Sequence, residues 1–255
     1  MRRLAAGLLV LFVLCAWASD RALAETLYER ACARVELEVG VLGSTRNEVQ
    51  IPGDTGTRFD LDDLTGSGPF PAGRVTVDWN PWRRHGFRLV VAPLEFSGYG
   101  KLDEPVRFAG ETYQAGVRTK GTYKFNTYRL GYRFWIPHNR RWHSSIGVTA
   151  LVRDANIELE QGATRSRKTD LGVVPLLHLD TEFHLSRRWS LLADLEGSWA
   201  PQGRAIDLAL KARYRIDRKW DVAFGYRTIE GGADNSSVFN FAWLHQVVVS
   251  VGFTF

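Results

Sequence analysis

The chain has 255 residues, is 45% hydrophobic and 12% aromatic, and carries a formal net charge of +5 at pH 7. That length admits one large β domain or two small ones, and two cysteines exclude a disulfide-rich scaffold. The sequence holds no internal run of the ~18 apolar residues that a membrane-crossing helix needs, and no aromatic-basic face of the kind that binds nucleic acid.

The first predicted element is a secretory signal. Arg2 and Arg3 form a basic start, Leu4 to Ala16 an apolar run, and Ala22-Leu23-Ala24 a small-x-small cleavage site. Residues 1–24 are therefore expected to be removed, leaving 25–255 as one domain. The loss of Arg2, Arg3, Arg21 and Asp20 lowers the net charge to +3. Cys32 is then the single cysteine, so no internal disulfide is expected.

Period-two alternation follows, the mark of strands whose successive side chains face opposite sides. It runs through Ala33–Val41, Arg74–Asn80 and Phe87–Val91, then Thr127–Ile136, Trp142–Arg153 and Leu171–His184. It continues in Trp189–Trp199, Ile206–Asp217, Trp220–Arg227 and Phe239–Phe255. These ten segments predict an all-β chain of ten antiparallel strands, with eight or twelve as alternatives. Long connections are expected at 42–71, 96–118, 154–169 and 230–237, and a tight one at Pro201-Gln202-Gly203. The other connections are short and basic: Arg83-Arg84-His85, Arg140-Arg141-Trp142, Arg187-Arg188-Trp189 and Arg218-Lys219-Trp220.

One face of these strands is aliphatic, with rings towards its ends: Trp79, Tyr128, Phe134, Trp142, Trp189, Trp199, Tyr214, Trp220, Tyr226 and Phe239. Two membrane interfaces select such rings. The opposite face is charged, which would be very costly in a sandwich core but suits a barrel lumen. Together these features predict a transmembrane up-and-down β-barrel. Short turns and both strand termini are then expected in the periplasm, and long loops outside.

The chain ends Val249-Ser250-Val251-Gly252-Phe253-Thr254-Phe255. This last strand resembles the signal that the barrel assembly machinery reads in outer-membrane proteins, with Phe253 and Phe255 as its aromatic positions. Phe108–Tyr113 and Tyr123–Tyr132 also resemble small barrels of the porin-like outer-membrane class. The resemblance implies a Gram-negative outer-membrane location, with membrane lipids, lipopolysaccharide and the assembly machinery as partners. It specifies a class and no activity.

On the polar face, Arg34, Glu36, Glu38, Arg74, Asp78, Arg129, Arg133, Arg153, His178, Asp180, Glu182, Asp194, Glu196, Asp207, Lys211, Arg213 and Arg227 are expected to form a mixed-charge lumen network. A ten-stranded barrel is only slightly wider than the eight-stranded kind that side chains fill. The lumen is accordingly expected to be mostly occluded, or to leave a narrow polar path. His178 and His184 lie six residues apart on one strand, about 20 Å at the usual rise. One metal ion cannot span that distance, so no metal site, cofactor or catalytic set is assigned. His143-x-Ser145 resembles the pair of lipid A 3-O-deacylases, but Ile146 replaces the Asn that follows, and both residues take the lumen-facing register. The acidic run Asp54–Asp63 suits a solvated loop. The sequence thus points to a structural barrel or a narrow passive channel for small polar solutes. An enzyme acting on lipid or peptide, or a loop-mediated adhesin, are the alternatives.

Overall fold

The alternating segments form an antiparallel sheet that closes on itself. The computed structural model describes residues 33–82, 84–136 and 141–255. The proposed signal, Cys32, Arg83 and Arg140 lie outside them. The elements are β1 (Ala33–Gln50), β2 (Phe59–Asp60), helix α1 (Asp62–Thr65), β3 (Phe70–Trp82), β4 (His85–Ala92), β5 (Glu95–Lys101), β6 (Val106–Phe108) and β7 (Glu111–Tyr113). They continue as β8 (Arg118–Trp135), β9 (Trp142–Gln161), β10 (Thr164–His184), β11 (Trp189–Ala200), β12 (Gly203–Arg215), β13 (Trp220–Asn235) and β14 (Val238–Thr254).

Around the wall the order is β1, β3, β4, β8, β9, β10, β11, β12, β13, β14, and β14 pairs back onto β1. The seam runs from Arg34↔Thr254 to Gln50↔Phe239, with one register shift between Ser44 and Arg46. β5 continues the path of β4 beyond Pro93-Leu94 and pairs with β8. The wall therefore has ten strands, as the alternation predicts. The strand ends beside 84, 136, 141, 185–188 and 216–219 cluster at the end that also holds Ala33 and Phe255, here the turn end. The opposite, loop end faces outward by the general rule for these barrels.

Several expected loops are strand instead. β1 continues nine residues past Val41, β9 and β10 pair up to Gln161↔Thr164, and β13 and β14 up to Asn235↔Val238. The physical reason is that the hydrogen-bonding ladder does not stop where the lipid stops. Above the membrane the same pairing persists with polar groups on both faces, and the apolar alternation that marks a strand in sequence disappears.

The aliphatic face points outward: Leu37 is 55% exposed, Val247 68% and Leu177 67%. Exposure of that extent over a whole wall is stable only against lipid. On β11, Trp189 and Trp199 stand ten residues apart, about 33 Å along the strand and about 25 Å along the membrane normal at a ~40° tilt. That height matches the apolar band of an outer-membrane barrel. Trp79, Trp142 and Trp220 are exposed near the turn end, with Phe134 and Tyr214 half-buried there. Tyr128, Trp199 and Trp243 mark the other side, and Tyr226 lies lower, between them. Phe239 departs from the expected belt. It stands four residues beyond Trp243, under the Arg58 guanidinium at 3.9 Å, in the part that projects past the band.

The loop end carries an apolar cap, which takes in part of the acidic run at 54–63 that the sequence predicts to be solvated. Leu61 and Leu64 of the α1 region, Val106 and Phe108 of β6, and Tyr113 of β7 pack with Leu42, Val49, Phe96, Tyr123, Ile157 and Leu159 from the wall. Tyr113 donates to the Leu159 carbonyl at 3.0 Å, and Ser166 Oγ donates to the Phe108 carbonyl at 3.0 Å, pinning the β6–β7 hairpin over β9 and β10. α1 lies flat on the wall because Gly98 and Gly121, which face each other across β5 and β8, leave room for it. A Cβ on Gly98 would meet the Thr65 carbonyl oxygen at 2.6 Å, and one on Gly121 would meet Leu64 Cβ at 2.9 Å.

The cap contains two unusual carboxyls outside the membrane. Burial lifts Asp62 above the ordinary aspartate range, Asp60 and Asp63 add to the lift, and Ser44 and Asn47 oppose it. Burial likewise raises Asp63, with Asp60 and Asp103 adding. A raised acid binds more protons folded than unfolded, so its contribution to stability is lost as pH rises from about 3.9 through the raised folded value. Amide-exchange protection of Leu64 and Thr65, corrected for intrinsic rate, is expected to fall over that window. Asp62→Asn should flatten the dependence, and an unchanged profile in that variant would exclude Asp62 as its source.

Candidate functional site

The inward face of the wall is polar, and its charges reach one another across the lumen. Around the ring of ten, β3 and β12 stand four places apart, yet Arg74 Nη2 lies 2.6 Å from Asp207 Oδ2. Arg129 of β8 bridges to the same Asp207 at 2.8 Å and also pairs with Glu196 of β11. Arg227 holds Asp207 at 2.5 Å and Glu38 at 3.0 Å, while Lys211 takes Glu36 and Glu38. Nearer the turn end, Arg34 joins Glu36 at 2.6 Å to Asp221 at 2.7 Å, and Arg213 reaches Glu182 at 3.0 Å.

A second arm runs beside it. Arg88 donates to Asp78 at 2.8 Å and pairs with Asp194, which also lies 3.4 Å from His178 Nε2. Arg133, completely buried, links Asp78 at 2.7 Å to Asp180 at 3.1 Å, and Ser145 donates to the same Asp180 oxygen at 2.9 Å. Among the described residues this network joins eight Arg and Lys cations to nine carboxylates. Near-neutrality follows from geometry: a buried charge with no counter-charge is far costlier than a paired one. The void left inside it is about 60 Å³, room for a few waters at most.

The structure brings together all but one of the residues assigned to the network from sequence. Arg153 faces inward but sits higher, where it pairs with Asp170 on the adjacent strand at 2.5 Å. It stands opposite Thr127, two residues above the level of Arg129 and four below the cap residue Ile157. Two members were left out of the sequence assignment. Arg88 lies between Phe87 and Leu89 and was legible from their alternation. Asp221 follows Trp220 in the same way.

The arrangement of His184 bears on catalysis. Its Nδ1 lies 2.8 Å from Ser190 Oγ and 3.7 Å from Glu182 Oε1. A nucleophilic triad requires the acid and the hydroxyl on different ring nitrogens; here one nitrogen serves both. Ser145, in turn, is held by Asp180 and the His143 ring packs against that of His184, with centroids 5.1 Å apart.

Between the network and the cap lies a cavity of about 200 Å³. Its floor is Arg129, Glu196 and Asp207; its walls are largely aliphatic, from Leu151, Ile157, Leu176, Ile229 and Leu244; and Arg153, Lys168 and Arg204 stand around its upper part.

An outward aliphatic band between aromatic belts, around a cross-braced polar interior, defines a class: this chain is an outer-membrane β-barrel protein of the Gram-negative type. No family model and no curated protein matches the sequence. Among solved structures, the outer membrane protease OmpT from Escherichia coli superposes with a TM-score of 0.54 at 8% identity, covering 93% of this chain and 100% of that one. Neisserial surface protein A (NspA) gives 0.38 at 8% identity, with 88% and 98% covered. Ail, the attachment invasion locus protein of Yersinia pestis, gives 0.37 at 8% identity, with 88% and 99% covered. At these identities the likeness is one of fold, and a single fold hosts many activities.

Proposed function

We propose that this protein is a structural outer-membrane barrel closed to polar solutes, without enzymatic activity of its own. The observation that carries this reading is the set of ion pairs joining strands four places apart, such as Arg74–Asp207 and Arg88–Asp194, which fill the cross-section. Of the two outcomes the sequence left open for the lumen, occlusion fits this packing better than a narrow path. The shared ring nitrogen of His184 favours the non-enzymatic reading. Its partners on this reading are membrane lipids and lipopolysaccharide along the aliphatic wall. The assembly machinery would read the last strand, where Phe253 packs on Trp220 with centroids 4.7 Å apart and Phe255 is exposed.

The test is single-channel recording of the refolded protein in a planar bilayer. The expected record is silent at neutral pH, in moderate salt. Reproducible steps whose size changes in Arg133→Ala or Asp180→Asn would overturn the closed reading and place a polar path through the lumen.

A further inference from the structure

The wall is not equally tall all round. β10 pairs with β11 only from Leu177↔Gly197 down to His184↔Ser190. Above that point Thr164–Leu176 pairs with β9 alone, while β11 ends at Ala200 and returns through Pro201-Gln202 into β12. The short β11–β12 hairpin thus leaves a notch in the sheet, bordered on one side by an unpaired strand edge. Strand edges of this kind are normally paired or covered.

The notch is at a defined height. Leu177 lies opposite Gly197, two residues below Trp199 of the upper aromatic belt, and Val173 lies opposite Val152, which in turn faces the belt residue Tyr128. It therefore opens at the boundary between acyl chains and headgroups of the outer leaflet. The cavity above the network runs along this opening: Lys168, Val174 and Leu176 of the β10 edge line it, as do Ala205 and Ile206 of β12 on the far side of the short β11, and Ile206 is 36% exposed on the lipid-facing register.

Charge identifies the occupant. Of the cations lining the cavity, Arg129 pairs with Glu196, Arg153 with Asp170, Arg204 with Glu230 and Lys124 with Asp154. Lys168, inward-facing and half-buried at the upper rim, has no ion pair among the described residues. An aliphatic cavity with one surplus ammonium at its rim is complementary to an apolar body carrying one negative head. About 200 Å³ is below the ~300–1,000 Å³ of pockets for drug-sized ligands, so a short single chain fits and a two-chain phospholipid does not.

We propose that this cavity binds a short-chain anionic amphiphile, of the class of a medium-chain carboxylate. The molecule enters sideways from the outer leaflet through the β10–β11 notch, with its head on Lys168. The site is independent of whether the lumen below conducts.

The experiment uses the full barrel in lipid nanodiscs, with empty nanodiscs as baseline, and follows binding of carboxyl-labelled octanoate and of octanol by NMR. Octanoate is expected to bind above baseline. Lys168→Gln should weaken octanoate about tenfold, the usual scale for one charge-assisted hydrogen bond, leave octanol unchanged, and be rescued by Lys168→Arg. Ala205→Trp, which fills the cavity beside the notch, should abolish binding of both, with heat-modifiable gel mobility reporting that it folds. Octanoate at baseline in the unaltered barrel overturns the proposal. So does octanoate binding unchanged in Ala205→Trp. Binding lost in Ala205→Trp but unchanged in Lys168→Gln overturns the anionic-head assignment.

Discussion

Arg133→Ala is expected to lower the unfolding free energy of the barrel by about 3–5 kcal/mol, the range for removing one partner of a buried ion pair. Arg133 has no solvent exposure, donates to Asp78 and Asp180, and lies over the Trp135 ring at 5.3 Å. Among the described residues its removal leaves Asp180 only the Ser145 hydroxyl as a hydrogen-bond donor, whereas Asp78 keeps Arg88. The damage should therefore concentrate at Asp180. The triple variant R133M/D78N/D180N, which removes the charges together, should recover much of the loss. Urea titration of the refolded barrel in lipid vesicles, followed by heat-modifiable gel mobility, measures both. A loss below about 1 kcal/mol for Arg133→Ala would show that water screens the lumen like a surface pair. That result would also weaken the closed reading.

Gly98→Val should dislodge the cap while sparing the wall. A side chain there meets the backbone of α1, at 2.6 Å from the Thr65 carbonyl and 2.8 Å from that of Leu64, and neither can yield as a flexible side chain would. Overpacking of this kind costs about 1–3 kcal/mol, or more when backbone must move. α1 should lift, exposing Leu61 and Leu64, and the segment between Pro52 and Ser67 should become sensitive to protease at the outer face. The gel mobility of the folded barrel should be unchanged, because the ten-strand ladder and the lumen network lie below the cap. Continued electrical silence in this variant would place the barrier in the network. The appearance of steps would assign it to the cap. Intact protease resistance would mean that α1 accommodates the new side chain.

The sequence by itself determined the class. Strict alternation over segments such as Tyr128–Ile136 and Trp220–Arg227 is visible because one face meets lipid and the other meets charge, and those demands act residue by residue. The same logic exposed the polar register from Arg34 to Arg227, and a consistent reading of β4 would have added Arg88. What pairs with what was not legible: Arg74 and Asp207 are 133 residues apart, and their contact depends on how the sheet curls shut. Strand length beyond the membrane was equally hidden, since above the lipid neither face of β9 or β10 is held to an apolar pattern. Only the tertiary structure turned the run 54–63 from a solvated loop into part of an apolar cap, because Leu61 and Leu64 acquire partners from β5, β8 and the β6–β7 hairpin only when those meet. The notch was decided there too. It results from a difference in height between neighbouring strands, β10 and β11, and such a difference exists only once the register of one strand against the next is fixed.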